Sequence, residues 1–473
     1  MPTLAQVISQ IEAALLDSLI GLVQVYVPGW ADGNWIAPSG IAGRAVSNMR
    51  QPNHMSSLLL WSLIAAVWLG EAPRASGSRR ALAVCVGVLM MFGLVLSGSR
   101  TGALGTLILA AWGLLDRRLS RRARALLLLA PVLYALMWAG AAAWSHHAHQ
   151  VFGGDAQLNK SDISSSRFGI WGNTLSLIGA HPWFGVGFGE FNFAWTLTPF
   201  PGRPVAFFDH THNLPLQFAV ELGLPLAALV MALLLWALWA LLMRALRAPA
   251  GADDAPSGLH RAAFVMVLMV LLHSLLEYPL WYAYFLLPAA FVFGLGLEPA
   301  QAEADVETAG SSSDDRPARD KTRPLLVASM LLMIGGLLSV VDYLRVASIF
   351  APAENAAPLA QRIAEGQRSW FFAHHADYAA ATTVEHPSEA MPAFARATHY
   401  LLDARLMQAW AKALNEAGRS DEARFVAQRL KEFKNDASAE FFEACAAPET
   451  AGTPPPPFQC EVPQKVYRYQ DFR

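Results

Sequence analysis

The sequence predicts an all-α, polytopic membrane protein. It has about nine transmembrane helices, a large loop on the periplasmic side and a small helical periplasmic domain at the C-terminus. Three observations carry this. First, 54% of the residues are hydrophobic and 15% are charged, against roughly a quarter charged in a soluble domain. Second, apolar runs near spanning length recur along the chain. Third, basic residues gather in alternate connections. The net charge of −2 hides that segregation. It says little about partners beyond membrane lipids, and no nucleic-acid partner is expected.

The stretch 5–28 carries Gln10, Glu12 and Asp17 and is taken as a first span. It lacks the basic start and small-residue cleavage site of a signal peptide. Apolar runs at 81–98, 125–144, 222–243, 280–297 and 324–341 approach the length a span needs, about 20 residues. Shorter runs at 55–70, 103–115 and 262–276 span only with their flanks.

Basic residues orient the set. Arg74, Arg79 and Arg80 share one connection, and Arg117, Arg118, Arg121, Arg122 and Arg124 share a second. Arg244, Arg247 and Arg261 bracket a third, and Arg316, Arg319, Lys321 and Arg323 end a fourth. If every run spans, all four fall on one side, which the positive-inside rule makes cytoplasmic. In a bacterial inner membrane the N-terminus is then inside and the C-terminus in the periplasm.

The organisation follows in order. Transmembrane helices fill 1–145, a periplasmic loop 146–213, more spans 214–297, a cytoplasmic linker 298–323, the last span 324–345 and a periplasmic domain 346–473. The linker is rich in Ala, Asp, Glu and Ser and is expected to be disordered. In the last domain Leu406, Trp410, Ala413 and Leu414, then Ala423, Val426, Ala427 and Leu430, follow helical spacing. They form one helix–turn–helix of tetratricopeptide type, a cap and not an array. Pro454 to Pro457 stiffen the tail. Cys85 lies in a span, whereas Cys445 and Cys460 lie in the oxidising outer tail and are disulfide candidates, with two free thiols as the alternative.

The chemistry concentrates at Asp209-His210-Thr211-His212-Asn213, where a polar segment opens a long apolar helix from about Leu214 to Leu242. Ionisable groups at a membrane boundary are costly and mark function. A histidine there suits a general base for an attacking hydroxyl. The alternatives are a hydrogen-bonded histidine at a helix start and a metal ligand. A metal needs more ligands than Asp209 supplies, with His146, His147 and His149 as the nearest further source. Asn213 and Asp209 are candidates for fixing the tautomer or capping the helix.

Arg44, Arg50, Arg100, Arg167 and Arg203 all map to outer loops or span ends. An arginine there can snorkel to headgroups. Arg100 in Ser97-Gly98-Ser99-Arg100-Thr101-Gly102 and Arg167 in the large loop suggest an anion site, since guanidinium matches phosphate oxygens bidentately. Glu277 sits at membrane depth and needs a partner, for which Arg100 and Arg167 are considered. The glycine-rich Phe184-Gly185-Val186-Gly187-Phe188-Gly189 lacks the βαβ context of a nucleotide loop, so nucleotide binding is rejected.

Five motifs now stand in order: Arg50-Gln-Pro-Asn53, Ser99-Arg-Thr-Gly102, Arg167 with His181-Pro-Trp-Phe-Gly-Val-Gly187, Asp209-His-Thr-His-Asn213, and His273-Ser-Leu-Leu-Glu-Tyr-Pro279. Together they resemble the O-antigen ligase superfamily, and within it the PglL-type bacterial protein O-oligosaccharyltransferases that carry a soluble C-terminal extension. The likeness covers about residues 1–440. It implies transfer of a glycan from undecaprenyl-pyrophosphate to a hydroxyl, without metal or other cofactor. The acceptor is Ser or Thr of a pilin-like or other periplasmic protein, or a lipid A-core sugar in the ligases, or a second glycan in Wzy-type polymerases.

Carried over by motif, His212 matches the essential histidine, and Arg100 and Arg167 match the pyrophosphate-binding arginines. Gln51 and Tyr278 match further residues implicated in the PglL branch, while Asn53, Asp209, His210, Asn213 and Glu277 are expected supports. Attack opposite the leaving group inverts the anomeric carbon. A lipid-linked-glycan transporter or binding protein is the reading from another class. Family members carry more spans before Gln-Pro-Asn, so a shortened form or an internal start is expected.

Overall fold

Short polar side chains start the helices. In the computed structural model, Gln51, Ser76, Ser99 and Ser120 each accept a hydrogen bond from a backbone N–H in the first turn that follows. Asp403 and Asn435 do the same near the C-terminus. Each cap satisfies a donor that the helix itself leaves open. The structure describes residues 2–71, 75–158, 166–205, 207–247, 256–297, 322–446 and 456–473. The expected linker falls almost wholly outside them.

The helices run α1 (Pro2–Tyr26), α2 (Pro52–Gly70), α3 (Gly77–Ser97), α4 (Arg100–Leu115), α5 (Arg121–His147), α6 (Gly153–Leu158), α7 (Arg167–Ala180), α8 (Phe191–Leu197), α9 (Leu214–Leu222), α10 (Leu224–Arg247), α11 (Pro256–Ser274) and α12 (Ala283–Leu297). After these come α13 (Thr322–Phe350), α14 (Leu359–Gly366), α15 (Ala373–Thr383), α16 (Met391–Ala397), α17 (Ala404–Glu416), α18 (Ser420–Lys431) and α19 (Asp436–Phe441). Among the described residues there is no strand, and the chain is an all-α polytopic membrane protein.

Six helices among the described residues are long and apolar enough to cross a membrane: α1, α2, α3, α5, α10 and α13. The other three expected spans, α4, α11 and α12, are shorter apolar helices. The run at 280–297, expected near spanning length, gives a 15-residue α12, because Pro279 starts a 3-10 turn first. The long helix expected from Leu214 to Leu242 is broken at Gly223, whose φ is +78°. A Cβ there would lie 2.3 Å from the Trp183 carbonyl oxygen, so only glycine fits the break. The last apolar helix runs Thr322–Phe350, beyond the expected 324–345.

The chain divides into two compact units. One comprises Met1–Ser165, His212–Leu214 and Leu229–Gly310. Met55, Leu59 and Ile64 of α2 and Met90 and Leu94 of α3 are fully buried in its core.

The other unit comprises Ser166–Thr211, Pro215–Ala228 and Ser311–Arg473. Here the structure departs from the expected layout of a loop separate from a C-terminal domain. Phe191, Phe193, Trp195 and Phe208 from the loop share one core with Phe394, Leu406, Trp410 and Phe433 from the C-terminal helices. Each fully buried large side chain contributes about 1.5–3 kcal/mol, which an isolated loop cannot gather. Asn192 ties the two backbones, its Oδ1 accepting from Leu402 N at 2.7 Å and its Nδ2 donating to Phe208 O at 3.0 Å. Cys445 and Cys460 are joined by a disulfide.

Candidate functional site

The site begins with a backbone that L-residues rarely adopt. His212 has φ +54°, in the left-handed region. Such a residue costs roughly 1–2 kcal/mol and persists where its surroundings hold it. Its neighbour Asn213 donates from Nδ2 to the Leu275 carbonyl at 3.1 Å.

The His212 ring is fixed from two directions. Its Nδ1 lies 2.7 Å from Glu277 Oε2, and both side chains are mostly buried, at 16% and 9% exposure. The edge of Tyr278 packs against the ring, with centroids 4.9 Å apart and planes at 79°. A carboxylate accepts only, so His212 donates through Nδ1–H and its Nε2 is left as the acceptor. The acid expected to seek Arg100 or Arg167 thus meets the histidine. The tautomer-fixing role was expected of Asp209 or Asn213; the carboxylate that meets His212 Nδ1 at 2.7 Å is that of Glu277. Asp209 instead lies 3.3 Å from its neighbour His210.

A line of hydrogen bonds continues from Glu277 to α4. Asn53 Nδ2 donates to Glu277 Oε1 at 3.0 Å. Ser99 Oγ donates to Asn53 Oδ1 at 2.6 Å, and Ser56 Oγ donates to Ser99 Oγ at 3.0 Å. Ser99 is also the cap of α4, accepting from Gly102 N, and Arg100 is the residue after it. Three of the motifs found along the sequence therefore meet through side chains on α2, at the start of α4 and before α12. Gln51 starts α2, its Oε1 accepting from His54 N at 2.7 Å.

Two further histidines escaped notice as partners. His54 Nδ1 is 2.9 Å from Tyr284 Oη, and His273 Nδ1 is 2.7 Å from Ser57 Oγ. Their rings meet edge to face at 5.9 Å. His54, His273, Ser56 and Ser57 are all buried, and the two serines in an apolar run are the sequence signal for this polar group.

The arginines separate into different jobs. Arg44 is buried, and its guanidinium donates to the carbonyls of Ser97 at 2.8 Å and Gly98 at 3.3 Å. Burial first, then the charge of Arg100, lowers it to about 10. Gly98 has φ +57°, and a Cβ there would crowd Arg44 Nε at 3.3 Å. A cavity of about 290 Å³ opens beside this corner, lined by Gly98, Ser99, Arg100, Tyr134, Trp138 and Gly154 among others.

Arg203, expected among the outer arginines, is a core residue of the second unit. It pairs with Glu432 at 3.0 Å, donates to the Trp195 carbonyl at 2.9 Å and lies over the Trp195 and Phe433 rings at 4.7 Å. Arg167 opens α7 in the second unit. His146 stands 3.5 Å from Asp155. Among the described residues no three His, Cys, Asp or Glu side chains converge as a metal site requires.

Comparison with known families accounts for the same motifs. Residues 45–69 match a protein glycosylation ligase family, residues 85–231 an O-antigen ligase family, and residues 261–442 the C-terminal family of virulence factor membrane-bound polymerases. Over these residues the chain is similar to the three families. Gln51 and Asn53 fall in the first match, Arg100, Arg167 and His212 in the second, Glu277 and Tyr278 in the third.

Two proteins to which the chain is similar come from Acinetobacter baylyi. A general O-oligosaccharyltransferase is 29% identical over 311 residues, 63% of this chain and 50% of the relative. A ComP-specific O-oligosaccharyltransferase is 24% identical over 258 residues, 54% of this chain and 44% of the relative. The chain spans about half the length of the curated relatives it matches.

Proposed function

We propose that this chain is a glycosyltransferase that moves a glycan from undecaprenyl-pyrophosphate to Ser or Thr hydroxyls of a pilin-like or other periplasmic protein. The reaction takes place on the periplasmic face of a bacterial inner membrane. The observation that carries the reading is the His212–Glu277 pair, tied through Asn53 to the Ser99–Arg100 corner. The printed activities of the two relatives support the same reaction class.

The chemistry runs as follows. The acceptor hydroxyl gives its proton to Nε2 of His212 as its oxygen bonds to the anomeric carbon. The bond from that carbon to the pyrophosphate oxygen breaks on the opposite face, inverting the centre. Glu277 holds the ring in the accepting tautomer and stabilises the imidazolium that forms, a role worth several orders of magnitude in comparable triads. Arg100 and Arg167 carry the growing charge of the leaving pyrophosphate, since preorganised cations in a water-poor site offset charge without rearranging.

An acceptor sugar is the second reading, favoured by the ligase and polymerase families matched at 85–231 and 261–442. The purified chain, given a lipid-linked oligosaccharide with a pilin, lipid A-core and a free glycan in parallel, decides between them. Glycan on a pilin Ser or Thr is expected. Transfer to lipid A-core alone would replace the protein acceptor.

A further inference from the structure

The loop that carries His181-Pro-Trp-Phe-Gly-Val-Gly187 turns its aromatic rings outward. Trp183, Phe184 and Phe188 are 70%, 89% and 76% exposed. From Phe168 to Gly189 the sequence has no Asp, Glu, Lys or Arg. Large apolar rings gathered on one surface loop, with no charge among them, mark a contact surface.

Hydrogen bonds on both sides hold this loop. Val186 N donates to Val220 O at 2.7 Å, Gly187 N to Glu221 O at 3.1 Å, and Leu224 N to Pro182 O at 2.8 Å. A Cβ on Gly185 would lie 2.5 Å from the Glu221 carbonyl oxygen, so the two segments meet backbone to backbone. On the other side Tyr469 Oη lies 3.2 Å from His181 Nε2, and Arg473 donates to the Val186 carbonyl.

The same bonds tie the loop to the entry of a membrane helix. Leu224 is the first residue of α10, which is long and apolar enough to cross. At 1.5 Å per residue its 24 residues span about 36 Å, more than the roughly 30 Å of hydrocarbon. Its first turn therefore belongs at the headgroup boundary. Leu224 and Leu226 are half exposed and continue the apolar surface of the loop.

The second unit repeats this arrangement elsewhere. Trp370 and Phe371 are 76% and 55% exposed. Their backbone N–H groups donate to Asp342 at 3.2 and 2.9 Å, near the end of α13, another helix long and apolar enough to cross.

We infer that the loop 183–188 and the turn 370–371 rest in the lipid headgroup layer, so that the second unit lies on the bilayer surface. The occupant is a phospholipid surface, because each aromatic group adjoins a crossing helix and the loop has no charge for a polar partner to pair. Tryptophan and phenylalanine suit that layer, where an apolar body meets lipid and the indole N–H can meet water. This surface is separate from the glycosyl-transfer reading and does not rest on it.

Spin labelling of the full chain in nanodiscs of phosphatidylethanolamine and phosphatidylglycerol tests it. The exposed Cys85 is first replaced by Ala. Phe184→Cys or Trp370→Cys then carries the nitroxide, with Glu385→Cys, an exposed charged position of the same unit, as the reference. Phe184 and Trp370 are both largely exposed, so the fold should be kept, and near-UV circular dichroism confirms it. Labels at 184 and 370 are expected to collide with oxygen, which partitions into lipid, and to lose contact with a water-soluble nickel chelate. The label at 385 should show the opposite. Nickel access at 184 or 370 equal to that at 385 would overturn the inference. Protection from both reagents would also overturn it, since protein and not lipid would then cover the rings. Neither donor nor acceptor is present, so failure of the transfer reading leaves this result standing.

Discussion

Glu277 Oε2 lies 2.7 Å from Nδ1 of His212, across 65 residues of sequence. The contact joins a histidine in left-handed backbone to an acid whose other oxygen is held by Asn53. It sets which nitrogen of His212 carries the proton and which is the acceptor.

Replacing Glu277 by Gln keeps the shape and removes the charge. Both neighbours donate to the carboxylate, so one of them would meet the amide NH2 donor to donor, and the imidazolium would lose its counter-charge. Turnover is expected to fall by about a hundredfold or more. Steady-state transfer kinetics check it, and an unchanged kcat would rule out the orienting role.

Asn53 serves two partners at once. Asn53→Ala leaves Glu277 Oε1 and Ser99 Oγ each short of one bond, at a cost of about 1–3 kcal/mol. A lowered Tm in detergent is expected, along with reduced transfer. Asn53→Asp should be worse, because it sets a second carboxylate against Glu277.

Much of the fold was legible in the sequence, for identifiable reasons. Apolar runs and basic connections give the helices because the bilayer imposes length and sign on them. Arg100 and His212 stood out because polar groups in such surroundings are rare. The partnership of Glu277 was not legible, since sequence offers no distance between a corner before α12 and the start of α9. The core shared by Trp195 and Phe433 was hidden for the same reason. Arg203 looked like Arg100 in sequence, and only its pairing with Glu432 shows it to be structural.

Arg203 yields a prediction of its own. Burial lowers it to about 10 while Glu432 opposes that shift. Lysine cannot reproduce the fork that reaches Glu432 and the backbone carbonyls together. Arg203→Lys should destabilise the second unit by about 2–4 kcal/mol, read by denaturant unfolding of the full chain.

Acid should also weaken that unit. Burial first, then the neighbouring His375, lowers His374 to about 4. An unfolded histidine titrates near 6.5. The unfolded chain therefore takes up a proton as the pH falls from about 6.5 to 4 while the folded chain does not, and stability is lost across that window. The effect is about 1 kcal/mol once discounted for the ring's partial exposure. Tm measured against pH should decline over this range, and less steeply in His374→Phe, which keeps the stacking on Tyr400.

The most direct test is single-turnover transfer from undecaprenyl-pyrophosphate-linked glycan to a pilin acceptor by the unmodified chain and by His212→Ala. If His212 is the base, the variant binds the donor but transfers about a hundredfold to ten-thousandfold more slowly. Transfer by His212→Ala at the unmodified rate would contradict the assignment.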